Sequence, residues 1–90
     1  MERRQYRITG RVQGVGFRAW TMQRARELGL SGLVRNDPDG SVGVEAEGTT
    51  DALRRLEAAL SKGPPLASVR EIEPLPAGSG PLPALFDVAF

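Results

Sequence analysis

Near the middle of the chain, Asp37-Pro38-Asp39-Gly40 separates two short segments whose apolar residues alternate, and this feature constrains the fold more than any other. Proline presets the φ of a turn and Asp-Gly tolerates the rest of its geometry, so residues 30–36 and 41–47 are predicted to be two strands of one hairpin. In the second strand Val42, Val44 and Ala46 share a face, with Gly43, Glu45 and Glu47 on the other. One side of that sheet is expected to be core and the other solvent.

The flanking segments supply the rest of the layers. Residues 5–12 alternate, with Tyr6, Ile8 and Val12 on one parity and Arg7, Thr9 and Arg11 on the other, which predicts a half-buried first strand. From Ala19 to Leu28 the period changes: Ala19, Met22, Ala25 and Leu28 fall on one side and Gln23, Arg24, Arg26 and Glu27 on the other. That spacing predicts an amphipathic helix ending at Gly29. Beyond the hairpin, Thr49 or Thr50 can cap a second helix with Asp51 in its first turn and Leu53, Leu56 and Leu60 as its apolar stripe. Lys62 and then Gly63-Pro64-Pro65 mark its end. A further strand is expected over 67–75, around Val69 and Ile72. Pro76 to Pro83 is a loop, and Phe86, Val88 and Phe90 alternate in a short last strand.

The order β-α-β-β-α-β with an extra short C-terminal strand belongs to the α+β class. It predicts a ferredoxin-like sandwich, a mainly antiparallel sheet with two helices on one face, as a single domain over 1–90. That architecture serves many functions and names none.

The chain has 90 residues, no His and no Cys. A Ser-His-Asp triad, a thiolate nucleophile, a zinc finger, an iron–sulfur site and a disulfide framework are therefore excluded, and catalysis must use Arg, Asn, Thr, carboxylates or backbone amides. Twelve Lys+Arg against 11 Asp+Glu give a formal charge of +1, with no one-signed field to draw nucleic acid or a membrane surface. The start, Met1 to Gln5, lacks the apolar core of a secretory signal, and no stretch approaches the ~20 apolar residues of a spanning helix. A cytoplasmic location is expected.

The candidate site is Gly10-Arg11-Val12-Gln13-Gly14-Val15-Gly16-Phe17-Arg18, where a strand ends and a helix begins. Gly14 and Gly16 permit tight or positive-φ geometry, so successive N–H groups can converge on an oxyanion near the positive end of the helix dipole. Arg18 adds a planar fork that matches two phosphate or carboxylate oxygens. On residue pattern alone, a tight turn followed by a surface arginine is an equally good reading. The spacing is neither that of a P-loop nor that of the dinucleotide fingerprint. Asn36, the last residue before the turn, is either an amide bonded to the turn's own backbone or a second site residue. Trp20, on the polar side of the predicted helix, either lines the rim of the site or packs against a neighbouring strand or loop.

Together, Gly10-x-Val-Gln-Gly-Val-x-Phe-Arg18, Gly32-x-Val-Arg-Asn36 and Gly40-x-Val42 with Gly48 resemble both signature segments of the acylphosphatase family, in order and at the family's spacing. The similarity covers nearly the whole chain. It implies hydrolysis of the carboxyl-phosphate anhydride of a small acyl phosphate, without metal or cofactor. It also implies that Arg18 binds the phosphoryl group, that Asn36 holds the attacking water, and that the loop Gln13, Gly14, Val15, Gly16, Phe17 and Arg18 completes a phosphate cradle. Inorganic phosphate or sulfate would then compete for the site, and the protein would act as a stand-alone monomer with no nucleic-acid or membrane partner. Leu33 stands where the family usually has an aromatic, which implies a missing packing group beside Asn36. Two other classes fit the same element order. A base-stacking RNA module is disfavoured because Ser41 to Glu47 carries no aromatic and two glutamates, whereas a non-catalytic anion-binding domain would keep the same cradle.

Overall fold

The hairpin sits inside the sheet. In the computed structural model, which describes residues 1–90, β2 (Ser31–Asn36) and β3 (Val42–Gly48) pair antiparallel with Asn36 opposite Val42 and Ser31 opposite Glu47. The turn between them is closed by Asp37 N–H to the Ser41 carbonyl at 2.9 Å and Gly40 N–H to the Asp37 carbonyl at 3.1 Å. The Asp39 carboxylate accepts both the amide and the hydroxyl of Ser41, at 3.0 and 2.6 Å.

Five strands form one sheet in the order β4-β1-β3-β2-β5. β1 (Glu2–Arg11) runs antiparallel to both β3 and β4 (Ser68–Leu75), with a register shift between Thr9 and Gly10 on the β4 side. β5 (Asp87–Ala89) joins the opposite edge parallel to β2. The two helices are α1 (Phe17–Glu27) and α2 (Thr50–Lys62). They cover the face bearing Tyr6, Ile8, Val34, Val42, Val44 and Ala46, all at most 1% exposed. The predicted ferredoxin-like α+β arrangement is therefore the one observed, with β5 making the sheet mixed.

α2 follows its sequence closely. The Thr49 hydroxyl accepts from the Ala52 amide at 3.1 Å, a side-chain N-cap that satisfies one of the helix's orphan donors. Leu53, Leu56 and Leu60 are completely buried. α1 departs from the expectation. It begins at Phe17 rather than Ala19, and its buried residues are Phe17, Thr21 and Ala25, spaced by four. Met22 and Leu28 are only partly buried and Ala19 is exposed. The core needs the Phe17 ring under the first turn. Rooting the helix there rotates Ala19 to the open side and brings Trp20, read as polar-side, against the core, where its ring meets Phe17 edge-on at 5.6 Å.

The outer face of the sheet is not simply solvent. Glu45 accepts from Arg3 at 2.8 Å and from the Gly78 amide at 3.1 Å, and Arg3 also donates to the Gly80 carbonyl at 2.6 Å. These bonds fold part of the loop between β4 and β5 across that face. At Gly32 the backbone has φ +144° and its neighbours are close: a Cβ there would stand 2.0 Å from the Glu45 carbonyl oxygen and 2.9 Å from the Phe86 ring. Only glycine fits where β2 lies between β3 and Phe86.

Candidate active site

The junction from β1 to α1 is built by glycine. Gly16 is the N-cap of α1 in the left-handed region, φ 79° and ψ 16°, and Gly14 also has positive φ. An L side chain at either position would be strained, so the tight loop depends on these two residues. No side chain caps α1, no acid lies in its first turn, and none of the loop and cap hydrogen bonds uses an amide from Gln13 to Ala19 as donor. The helix therefore presents free N–H groups at the positive end of its dipole.

These groups open onto a cleft of about 230 Å³, lined by Gly14, Gly16, Arg18 and Asn36 among others, with no acidic residue in its wall. Arg18, in the first turn of α1, makes no salt bridge within the protein. Its guanidinium carbon lies 5.0 Å from the centroid of the Phe90 ring, within cation–π range. Asn36 ends β2 on the same parity as the buried Val34. Its Oδ1 is buried without a hydrogen-bond partner in the protein. The hydrogen bonds that hold the turn beside it run among Asp37, Asp39, Gly40 and Ser41 and from Gln13 and Arg7, and none uses the Asn36 side chain, so Asn36 does not serve as the turn's own bonding amide.

Of the six residues assigned to the loop, Gly14, Gly16, Phe17 and Arg18 line the cleft, whereas Gln13 and Val15 do not. Val15 packs against the core. The Gln13 side chain turns to the hairpin, its amide nitrogen donating to the carbonyls of Asp37 and Ser41, each at 2.8 Å. Leu33 lies on the opposite face of the sheet from Asn36, because successive side chains on β2 alternate. It is not a packing neighbour of that amide. Trp20 lines a separate groove of about 610 Å³ between α1 and α2, with Arg24, Ala59 and Lys62, and takes no part in the Arg18 cleft. Its ring packs against the core beside Phe17, with the Arg24 guanidinium carbon 5.8 Å from its centroid.

Sequence reasoning missed Val88 and Phe90 as cleft residues. Their alternation was visible, but the parallel pairing of β5 with β2 that carries them beside Asn36 has no local signal. It also missed the support behind the hairpin: the Arg7 guanidinium donates to Asp39 at 2.6 Å from the outer face. The Ser41 hydroxyl, then Arg7, then the Ser41 amide hold the Asp39 carboxyl well below the usual carboxylate range.

Fold and cleft define a ferredoxin-like α+β protein with an electropositive, amide-rich pocket at its first strand–helix junction. The acylphosphatase family matches residues 4–79. An acylphosphatase of Nitratidesulfovibrio vulgaris (strain DP4) is 52% identical over 92 aligned positions, covering 100% of this chain and 92% of that relative. The crystal structure of acylphosphatase from Bacillus subtilis superposes with a TM-score of 0.92 at 33% identity over the full length of both chains. HypF from T. kodakarensis matches all of this chain with a TM-score of 0.87 at 28% identity, using 12% of its own length. The chain belongs to the acylphosphatase family.

Proposed function

We propose that the protein hydrolyses the carboxyl-phosphate anhydride of small acyl phosphates to a carboxylate and inorganic phosphate, as one domain and without a metal ion. The observation that carries this reading is the buried, unpartnered Oδ1 of Asn36 beside the cleft that also holds Arg18 and the open N-terminus of α1. An acceptor withheld from the protein's own donors suits a water molecule, and free amides with a guanidinium suit a phosphoryl group.

In this mechanism Arg18 and the loop amides hold the phosphoryl oxygens, and Asn36 orients a water through its carbonyl. The water oxygen forms a bond to phosphorus as the bond from phosphorus to the acyl oxygen breaks. The carboxylate leaves with that electron pair, and the water's proton passes to the phosphate. An amide is no general base, and none is needed: the leaving group is good, the transition state is loose, and positioning with electrostatic stabilisation carries the step. A chain without His or Cys is suited to chemistry of this kind.

The test is turnover of benzoyl phosphate in the presence of a chelator, with wild type beside Arg18→Ala. Wild type is expected to be active and unaffected by chelator, with inorganic phosphate inhibiting competitively. Folded Arg18→Ala is expected to lose on the order of 10²-fold in kcat/KM. Full activity in that variant, or activity abolished by chelator and restored by a metal ion, refutes the assignment.

A further inference from the structure

The two halves of the cleft come from separated strands. β3 lies between β1, which feeds the loop, and β2, which carries Asn36, so no ladder hydrogen bond joins them. Through β3 the ladder aligns Ile8 and Asn36, each opposite Val42, and leaves a gap between Asn36 and the loop, which begins beyond that row. The Gln13 side chain spans it: Nε2 donates to the carbonyl oxygens of Asp37 and Ser41 at 2.8 Å each. Asp37 directly follows Asn36, and Ser41 directly precedes Val42, the residue paired with Asn36 across the ladder. Both partners are acceptors, so the amide nitrogen faces them and both of its hydrogens are used.

The far end of this clamp is stiff. The same two carbonyls also accept the turn's own backbone bonds, from Gly40 and Asp37, while Asp39 is fixed by Ser41 and by Arg7. Its near end is the residue before Gly14, at the start of the cleft wall. A shift of the loop against the hairpin therefore has to break one of two half-buried hydrogen bonds or distort a braced turn.

We infer that Gln13 is a positioning residue whose side-chain amide sets the distance between a phosphoryl group in the loop and the water on Asn36, an inference that rests on the reaction proposed above. Phosphate alone needs only the loop and Arg18, so its binding does not depend on the clamp. Attack does, because a misplacement of about 1 Å between nucleophile and phosphorus is enough to cost up to ~10²-fold.

The experiment compares wild type, Gln13→Met, Asn36→Ala and the double variant for turnover of benzoyl phosphate and for affinity of inorganic phosphate. Methionine keeps the length and removes both donors. The expected result is a fall in kcat on the order of 10-fold or more for Gln13→Met, with phosphate affinity within about twofold of wild type. The double variant is expected to be no slower than Asn36→Ala, since the clamp has nothing left to align. Gln13→Glu, which sets acceptor against acceptor, is the second variant should methionine prevent folding, and the same pattern is expected of it. Unchanged kcat in both folded single variants, or parallel losses of kcat and phosphate affinity, or losses that multiply in the double variant, overturns the inference while leaving the hydrolase reading intact. An inactive wild type overturns both.

Discussion

Asn36→Ala is expected to leave the protein as stable as wild type or more so, while removing most of its turnover. The stability side follows from the buried Oδ1, which has no partner in the protein. An unpaired buried acceptor costs about 1–3 kcal/mol, of which a water resting in the cleft returns part. Alanine removes that cost, loses no hydrogen bond to the turn, and keeps the backbone pairing with Val42. The net change is about 0–1 kcal/mol in favour of the variant, or a rise in Tm of up to about 8 °C for a domain of this size. The activity side follows from the role proposed for Asn36 in attack: kcat is expected to fall sharply while phosphate affinity stays near wild type, because in that proposal the amide faces the nucleophile and not the ground-state phosphoryl group. Thermal unfolding, phosphate titration and acyl phosphate turnover are measured on one sample. A Tm lowered by several degrees with turnover spared refutes the reasoning, since that is the signature of a turn-bonding amide.

Arg18→Lys is expected to recover little of the kcat/KM lost in Arg18→Ala, because an ammonium keeps the charge but neither the two-pronged geometry nor the planar face set over Phe90; near-wild-type kinetics would contradict this. Gly32→Ala is expected to destabilise by about 2–4 kcal/mol in urea unfolding, from overpacking against the Glu45 carbonyl at a positive φ, and a loss below about 1 kcal/mol would show that β2 can shift. The depressed Asp39 carboxyl contributes stability that is present above its unfolded pKa and lost as pH falls through its lower folded value. Unfolding of wild type and Asp39→Asn from pH 7 to pH 2 should therefore show a gap that narrows in acid, and a gap independent of pH would remove the carboxylate from the account.

Much of this protein could be read from its residues in order. Pro38 and Gly40 make the turn, Thr49 caps α2, and Leu53, Leu56 and Leu60 fall on one face. Each depends on forces acting within about one turn of chain, so local sequence suffices. Gly14, Gly16, Arg18 and Asn36 were legible as a set for a different reason: the two segments carrying them match a family signature whose spacing includes the intervening helix. α1 was the weaker reading, because its inward face is chosen by where Phe17 must sit in the core and not by the apolarity of its own stripe.

Other features arise only when the chain closes on itself. The clamp from Gln13 joins residues 24 and 28 positions away, and nothing in its sequence neighbourhood distinguishes it from an amide in solvent. Val88 and Phe90 reach the cleft because β5 adds parallel to β2 at the sheet edge, and the loop after β4 lies over Glu45 because Arg3 and that carboxylate meet across the β1–β3 ladder. Such contacts depend on strand register and on which edge remains free once the core is buried, quantities that belong to the assembled sheet and to no segment of it.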